Sequence, residues 1–60
     1  MKAYYVVDYI KNGTVTTERW LGKLETAEAV ARKAVGDKGA DRVVIKDKWG
    51  AILFRYPPNA

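Results

Sequence analysis

The stretch that decides the fold is YYVVDYIKNGTVTTERWL, residues 4–21. Asn12 and Gly13 lie at its centre. An Asn-Gly pair between two apolar runs is a strong hairpin signal, because a type I′ turn needs positive φ at both central residues. The flanking runs are rich in Tyr, Val, Ile and Thr, which suit the pleated surface of a sheet. The sequence therefore predicts two antiparallel strands, at about 3–10 and 14–21, joined by a two-residue loop.

The loop length fixes the register of this hairpin and, with it, the side chains that share a face of the sheet. The pairs expected to lie opposite each other are Ile10 with Val15, Asp8 with Thr17, and Tyr5 with Trp20. One face then carries Tyr4, Val6, Asp8, Ile10, Val15, Thr17, Arg19 and Leu21. The other face carries Ala3, Tyr5, Val7, Tyr9, Thr16, Glu18 and Trp20.

An amphipathic helix is expected at about 26–37. Thr26 is the predicted N-cap, because its hydroxyl can accept a hydrogen bond from an unpaired amide of the first turn. Gly36 and Gly39 offer two ways to end the helix. Apolar residues recur at helical spacing and form one stripe; they are Ala27, Val30, Ala31, Ala34 and Val35.

Two further strands are expected at about 41–46 and 51–56, with residues 47–50 forming a type I turn that ends on a left-handed Gly50. A four-residue loop would pair Ile45 with Ile52 and Val43 with Phe54. A three-residue loop with a bulge would divide the faces differently, and the sequence leaves both open. The chain is thus predicted as one α+β domain, 1–60, in which an antiparallel four-stranded ββαββ sheet carries a single helix on one face.

The helix stripe is mostly Ala, so the sheet must supply the bulk of the core. The face with Tyr5, Val7, Tyr9 and Trp20 supplies most of it, and it keeps Asp8 away from the helix. We expect the helix to cover that face. Glu18 would then have to lie at an edge of the sheet.

The opposite face would stay open and would mix apolar and basic side chains. An exposed apolar patch with charged surroundings often marks an interface, and exposed Trp is enriched at interaction hot spots. The candidate partner-binding residues are Trp49, Tyr4, Val6, Val44 and Leu53. The candidate nucleic-acid-binding or acidic-surface-binding residues are Arg19, Arg42, Lys46 and Arg55. Charged residues on strands also protect sheets against aggregation, and this alternative remains.

Composition limits the chemistry that the chain can perform. The 60 residues contain 11 Lys and Arg against 7 Asp and Glu, a formal charge of +4, and there is no His, Cys, Ser or Gln. The commonest general base and nucleophiles are therefore missing, as are disulfides and the usual zinc ligands. We expect a non-enzymatic binding protein without cofactor or metal.

The same composition suggests a location. No apolar run approaches the length that spans a bilayer, and the start lacks a signal-peptide cleavage site. We expect a soluble cytoplasmic protein.

Two resemblances follow from longer stretches. Met1-Lys2-Ala3 leads to a Tyr and two β-branched residues, and together with Ala31-Arg32-Lys33 and the closing Gly-turn hairpin this layout resembles a small phage type I-F anti-CRISPR family. The resemblance implies docking on an RNA-guided surveillance complex and blocking or misdirecting its DNA binding. Many anti-CRISPR proteins are acidic DNA mimics, whereas this chain is basic, so the resemblance favours steric blocking. Residues 43–50 also resemble the second hairpin of uncharacterised bacterial ββαββ families, which imply no activity.

Three hypotheses follow from the sequence. The first is a protein-interaction module or inhibitor that uses Trp49 and the open face of the sheet. The second is a nucleic-acid-binding domain that uses the four basic residues of that face. The third is a homodimer in which two open faces meet.

Overall fold

The computed structural model describes residues 4–58, which form four strands and a helix in the order ββαββ. The elements are β1 Tyr5–Lys11, β2 Thr14–Trp20, α1 Leu24–Asp37, β3 Arg42–Lys46 and β4 Ile52–Tyr56. All neighbouring strands are antiparallel, in the sheet order β2-β1-β3-β4. The predicted α+β fold is confirmed. Ala3, the expected start of the first strand, lies outside the described residues.

The β1–β2 hairpin has the register that the Asn-Gly loop predicts. Tyr5 lies opposite Trp20, and the pairing continues without a bulge to Lys11 opposite Thr14. Asn12 has φ 51° and Gly13 has φ 80°, as a type I′ turn requires. A two-residue loop therefore sets the register of this half of the sheet.

The helix begins earlier than the sequence indicates. The N-cap is Lys23, which provides no side-chain hydrogen bond, and the amide of Ala27 donates to the Lys23 carbonyl at 3.1 Å. The prediction of Thr26 as N-cap is wrong, because Leu24 packs against the core and is already the first residue of the helix. At the other end, Gly39 adopts φ 74°.

The second hairpin has the three-residue loop with a bulge, one of the two loops that the sequence left open. Asp47 N–H donates to the Ala51 carbonyl at 2.9 Å, so the loop is the three residues between them, and Gly50 has φ 92°. Lys46 lies opposite Ile52 and Ile45 opposite Phe54, which leaves Leu53 as the extra residue of a bulge. The pairs that a four-residue loop would give, Ile45 with Ile52 and Val43 with Phe54, are not formed, because the bulge shifts β4 along β3.

The helix covers the expected face of the sheet. Val7, Val43 and Ile45 are almost fully buried beneath the Ala stripe of the helix. Tyr5, Tyr9, Trp20 and Phe54 pack around this core and are partly buried. Arg32 of the helix lies over the Phe54 ring, with its guanidinium carbon 5.5 Å from the ring centroid. Glu18 is exposed and lies on β2, which is an edge strand of the sheet. This agrees with the expectation that Glu18 lies at an edge.

The strand ends differ slightly from the sequence pattern. Leu21, Asp41 and Ala51 fall outside the strands. Ala51 instead closes the second loop, and the Asp41 amide donates to the Ile10 carbonyl at 2.7 Å. Asp41 and Ala51 thus each make one backbone hydrogen bond beyond the end of a strand.

Candidate binding surface on the open face of the sheet

The sheet face opposite the helix, called the open face below, is ordered in rows that cross the strands. Residues directly opposite each other in a sheet share a face, so the registers define its members. One row is Arg19, Val6, Lys46 and Ile52; the next is Thr17, Asp8, Val44 and Arg55; the third is Val15, Ile10 and Arg42. The structure therefore brings all four predicted basic residues to one face.

Asp8 lies at the centre of the open face, and its carboxylate is satisfied within the sheet. Lys46 Nζ lies 3.0 Å from one carboxylate oxygen, and the Thr17 hydroxyl donates to the other at 2.8 Å. Burial alone would raise the pKa of Asp8, but the hydrogen bonds from Lys46 and Thr17 and the charge of Lys46 outweigh it and lower the pKa. Lys46 is thus occupied by an internal contact, which reduces its availability to a partner.

Arg19 is also engaged within the molecule. Its guanidinium carbon lies 5.1 Å from the centroid of the Tyr4 ring, a cation–π distance. Tyr4 precedes β1 and is half-buried. The sequence predicted both residues as contact residues, and the structure places them together at the end of the open face beside Val6.

Arg42 and Arg55 remain without a carboxylate partner among residues 4–58. Arg55 lies directly opposite Val44, and Arg42 is the next residue of β3 on the same face. Such diagonal neighbours lie about 7–8 Å apart at their Cα atoms. Arg42 Nε is buried and has no hydrogen-bond acceptor in the described part of the chain. This Arg42–Arg55 pair is the part of the open face that is best suited to receive an anionic group.

The apolar part of the surface differs in detail from the prediction. Val44 is only 8% exposed, because the side chains around it cover it, so it supports the surface more than it contacts a partner. Arg55 takes the place opposite Val44 that the four-residue loop had given to Leu53. Leu53, in the bulge, is 44% exposed, and Ile52 and Val15 are exposed to a greater extent on the open face. The missed residue is Ile52, which the bulge moves onto this face.

Trp49 lies at the tip of the second hairpin and is 81% exposed. Its backbone is held by Asp47, whose carboxylate accepts hydrogen bonds from the amides of Trp49 and Ala51, each at 2.9 Å. Lys48 Nζ lies 4.7 Å from the centroid of the indole. A rigid turn thus presents a large apolar ring to solvent, the arrangement in which Trp acts as an interaction hot spot.

The part of the chain between residues 4 and 58 contains no group of three or more metal-ligating side chains. Within the same range no helix has the length and apolar character needed to cross a bilayer. No known protein family, curated protein or solved structure matches the chain.

Proposed function

We propose that this chain is a small non-enzymatic binding protein that docks on an acidic surface of a protein partner through its open face. The observation that supports the proposal best is the Arg42–Arg55 pair, which has no carboxylate partner in residues 4–58 and lies beside exposed apolar side chains. Guanidinium groups bind carboxylates in bidentate geometry. Arg and Trp are also the residues that most often dominate the energy of protein interfaces.

The side-chain composition of the open face also favours a protein partner over a nucleic acid. Proteins that bind single strands on a sheet stack the bases on exposed aromatic rings. Among the described residues of the open face, Tyr4 is the one aromatic side chain. It lies at one end of the face and already contacts Arg19. Branched apolar residues and arginines suit a protein surface better.

The finer proposal names the partner by resemblance. The layout resembles that of a phage type I-F anti-CRISPR family, so we propose an RNA-guided nucleic-acid-targeting complex as the partner. The basic charge of the chain argues for steric blocking of that complex, since a DNA mimic would be acidic. In this proposal the open face and Trp49 contact the complex together.

Binding to a purified type I-F surveillance complex tests this proposal. Arg55→Glu should weaken binding about tenfold or more, because it replaces a carboxylate-binding group with a repelling one. Lys33→Glu is the matched control: Lys33 is exposed on the helix, and the substitution changes the net charge by the same amount. Equal effects of the two variants would mean that the overall charge, and not the open face, drives binding.

Nucleic-acid binding is the second candidate function, and the gathering of Arg19, Arg42, Lys46 and Arg55 on one face favours it. Fluorescence anisotropy with random-sequence duplex and single-stranded DNA, at about 50 and 200 mM salt, distinguishes the candidates. Tight binding that collapses with salt and is weakened in Arg42→Ala would make nucleic acid the target. No binding at low salt would leave the protein partner.

A further inference from the structure

β2 is an edge strand of the sheet, and its charged side chains are Glu18 and Arg19. Lys11 and Thr14, which flank the two-residue loop, form a hydrogen-bonded pair, and such pairs alternate with non-hydrogen-bonded pairs along the hairpin. Val15, Thr17 and Arg19 belong to non-hydrogen-bonded pairs. Their backbone N–H and C=O groups therefore point away from β1, towards the outer edge. β2 has seven residues, no bulge in its register with β1, and no Pro. The other edge strand, β4, has a bulge and is followed by prolines, which are devices that block edge pairing. The two edges of the sheet therefore differ in their capacity to accept another strand.

A groove lies beside β2 on the helix side. The helix leaves this part of the sheet uncovered, and the groove has a volume of about 260 Å3. Its lining residues are Tyr9, Lys11, Thr16, Glu18, Ala34, Lys38 and Ala40. The burial of the Tyr9 side chain, which is the larger cause, and the negative charge of Glu18 both raise the pKa of Tyr9. Two lysines from different elements thus border a recess over Thr16, whose small side chain leaves space for a longer one from a neighbouring strand.

We propose that a second copy of this chain adds its β2 to this edge, antiparallel and centred on Thr17, so that two sheets become one continuous sheet. In this register all of β2 is used, and the outward-directed backbone groups of Val15, Thr17 and Arg19 meet their counterparts. Arg19 of each copy lies opposite Val15 of the other.

Charge favours this register over the one that is centred on Glu18. With Thr17 at the centre, Glu18 of the second copy lies opposite Thr16, where its carboxylate can reach the groove bordered by Lys11 and Lys38. The two Glu18 side chains are diagonal neighbours in this register, and these lysines offset their repulsion. A shift that centres the pair on Glu18 places the two carboxylates directly opposite each other, which is destabilising.

The open face is a poorer surface for self-association. It carries Arg19, Arg42, Lys46 and Arg55 against the single carboxylate of Asp8. Two such faces would bring like charges together and remove them from water. Edge pairing keeps the open face accessible, so it is independent of the proposed function and compatible with it.

Sedimentation equilibrium from low micromolar to millimolar concentration tests the proposal. The wild-type chain should show a monomer–dimer equilibrium. Val15→Glu places a carboxylate opposite Arg19 of the other copy, and Val15→Lys places an ammonium there. Because each contact occurs twice in the dimer, the dissociation constant should fall about threefold or more in Val15→Glu and rise by a similar factor in Val15→Lys. The two variants change the same exposed side chain, so each controls for the other.

Cross-linking tests the register directly, because the chain has no Cys. Oxidised Thr17→Cys should form a disulfide-linked dimer, since opposed residues at the centre lie within the range that a disulfide spans. Leu53→Cys, on the protected edge strand, should remain monomeric. A monomer at millimolar concentration, equal effects of the Val15 variants, or equal cross-linking of the two Cys variants would overturn the proposal. Circular dichroism of each variant establishes that it is folded.

Discussion

Replacing Lys46 with Met would show how far the centre of the open face depends on its ion pair. Met keeps the apolar stem of the side chain and removes the ammonium, which lies 3.0 Å from the Asp8 carboxylate. Asp8 would then keep only the Thr17 hydroxyl as a partner while its side chain remains 12% exposed. A carboxylate left with incomplete partners in a buried position destabilises the folded state.

The magnitude follows from the exposure of the two partners. Hydrogen bonds to charged groups contribute about 1.5–3 kcal/mol, while fully exposed ion pairs contribute about 0–1 kcal/mol. Lys46 is 35% exposed, so its contact with Asp8 falls towards the lower end of the first range. We expect Lys46→Met to lower the free energy of unfolding by about 1–2 kcal/mol, which for a domain of this size lowers the melting temperature by roughly 5–15 °C.

Urea unfolding followed by Trp fluorescence measures this loss, with Lys33→Met on the exposed helix surface as the control for charge removal. The pKa of Asp8 is lowered in the folded state, so its stabilising effect is full above the ordinary carboxyl range and is lost as the pH falls through that range. Removing Lys46 removes a hydrogen bond and a charge that lower the pKa of Asp8, and leaves only the hydrogen bond from Thr17. The difference in stability between wild type and Lys46→Met should therefore shrink on acidification.

Two results would refute this reasoning. The first is that Lys46→Met costs no more stability at neutral pH than Lys33→Met does. Alternatively, the stability difference between wild type and Lys46→Met could stay constant from neutral to acidic pH, which would mean that Asp8 does not sense the ammonium.

Further substitutions test the loop of the first hairpin, the segment between β2 and α1, and the core. Gly13→Ala forces a Cβ onto a residue with φ 80° and should cost about 1–2 kcal/mol in urea unfolding; an unchanged midpoint would contradict the turn. Gly22→Ala brings a Cβ to 3.0 Å from the Trp20 indole nitrogen. The hydrogen bond that this indole N–H donates to the Lys23 carbonyl should weaken, and the near-ultraviolet circular dichroism should change. An unaltered spectrum would oppose that contact. Ala31→Leu should cost about 1–3 kcal/mol because Ala31 is fully buried on the side of the helix that faces the sheet, whereas the exposed Ala29→Leu should change stability by less than about 0.5 kcal/mol. Similar losses for the two would contradict the close approach of the helix to the sheet.

The first hairpin shows what sequence can predict. Asn12 and Gly13 specify one turn type, that turn specifies one register, and the alternation of side chains then determines the two faces. The core face could also be predicted, since a helix stripe made of Ala needs bulky partners. The turn and the register depend on residues that are close in sequence, and the core face follows from the small size of the side chains in the helix stripe.

The second hairpin shows where sequence information ends. Asp47 and Gly50 are compatible with either loop length, and the choice between them decides whether Ile52 lies on the open face. The pairing of β1 with β3 joins residues that are distant in sequence, so the contact between Lys46 and Asp8 could not be predicted. That contact occupies Lys46 and the Tyr4 ring occupies Arg19, which leaves the Arg42–Arg55 pair available.

The measurement that tests the central claim most directly is the affinity of the chain for a purified type I-F surveillance complex, compared among wild type, Arg55→Glu and Lys33→Glu. We expect wild type and Lys33→Glu to bind with similar affinity and Arg55→Glu to bind about tenfold or more weakly. Absence of wild-type binding would contradict the proposed partner. Equal binding by Arg55→Glu and Lys33→Glu would contradict the proposed surface.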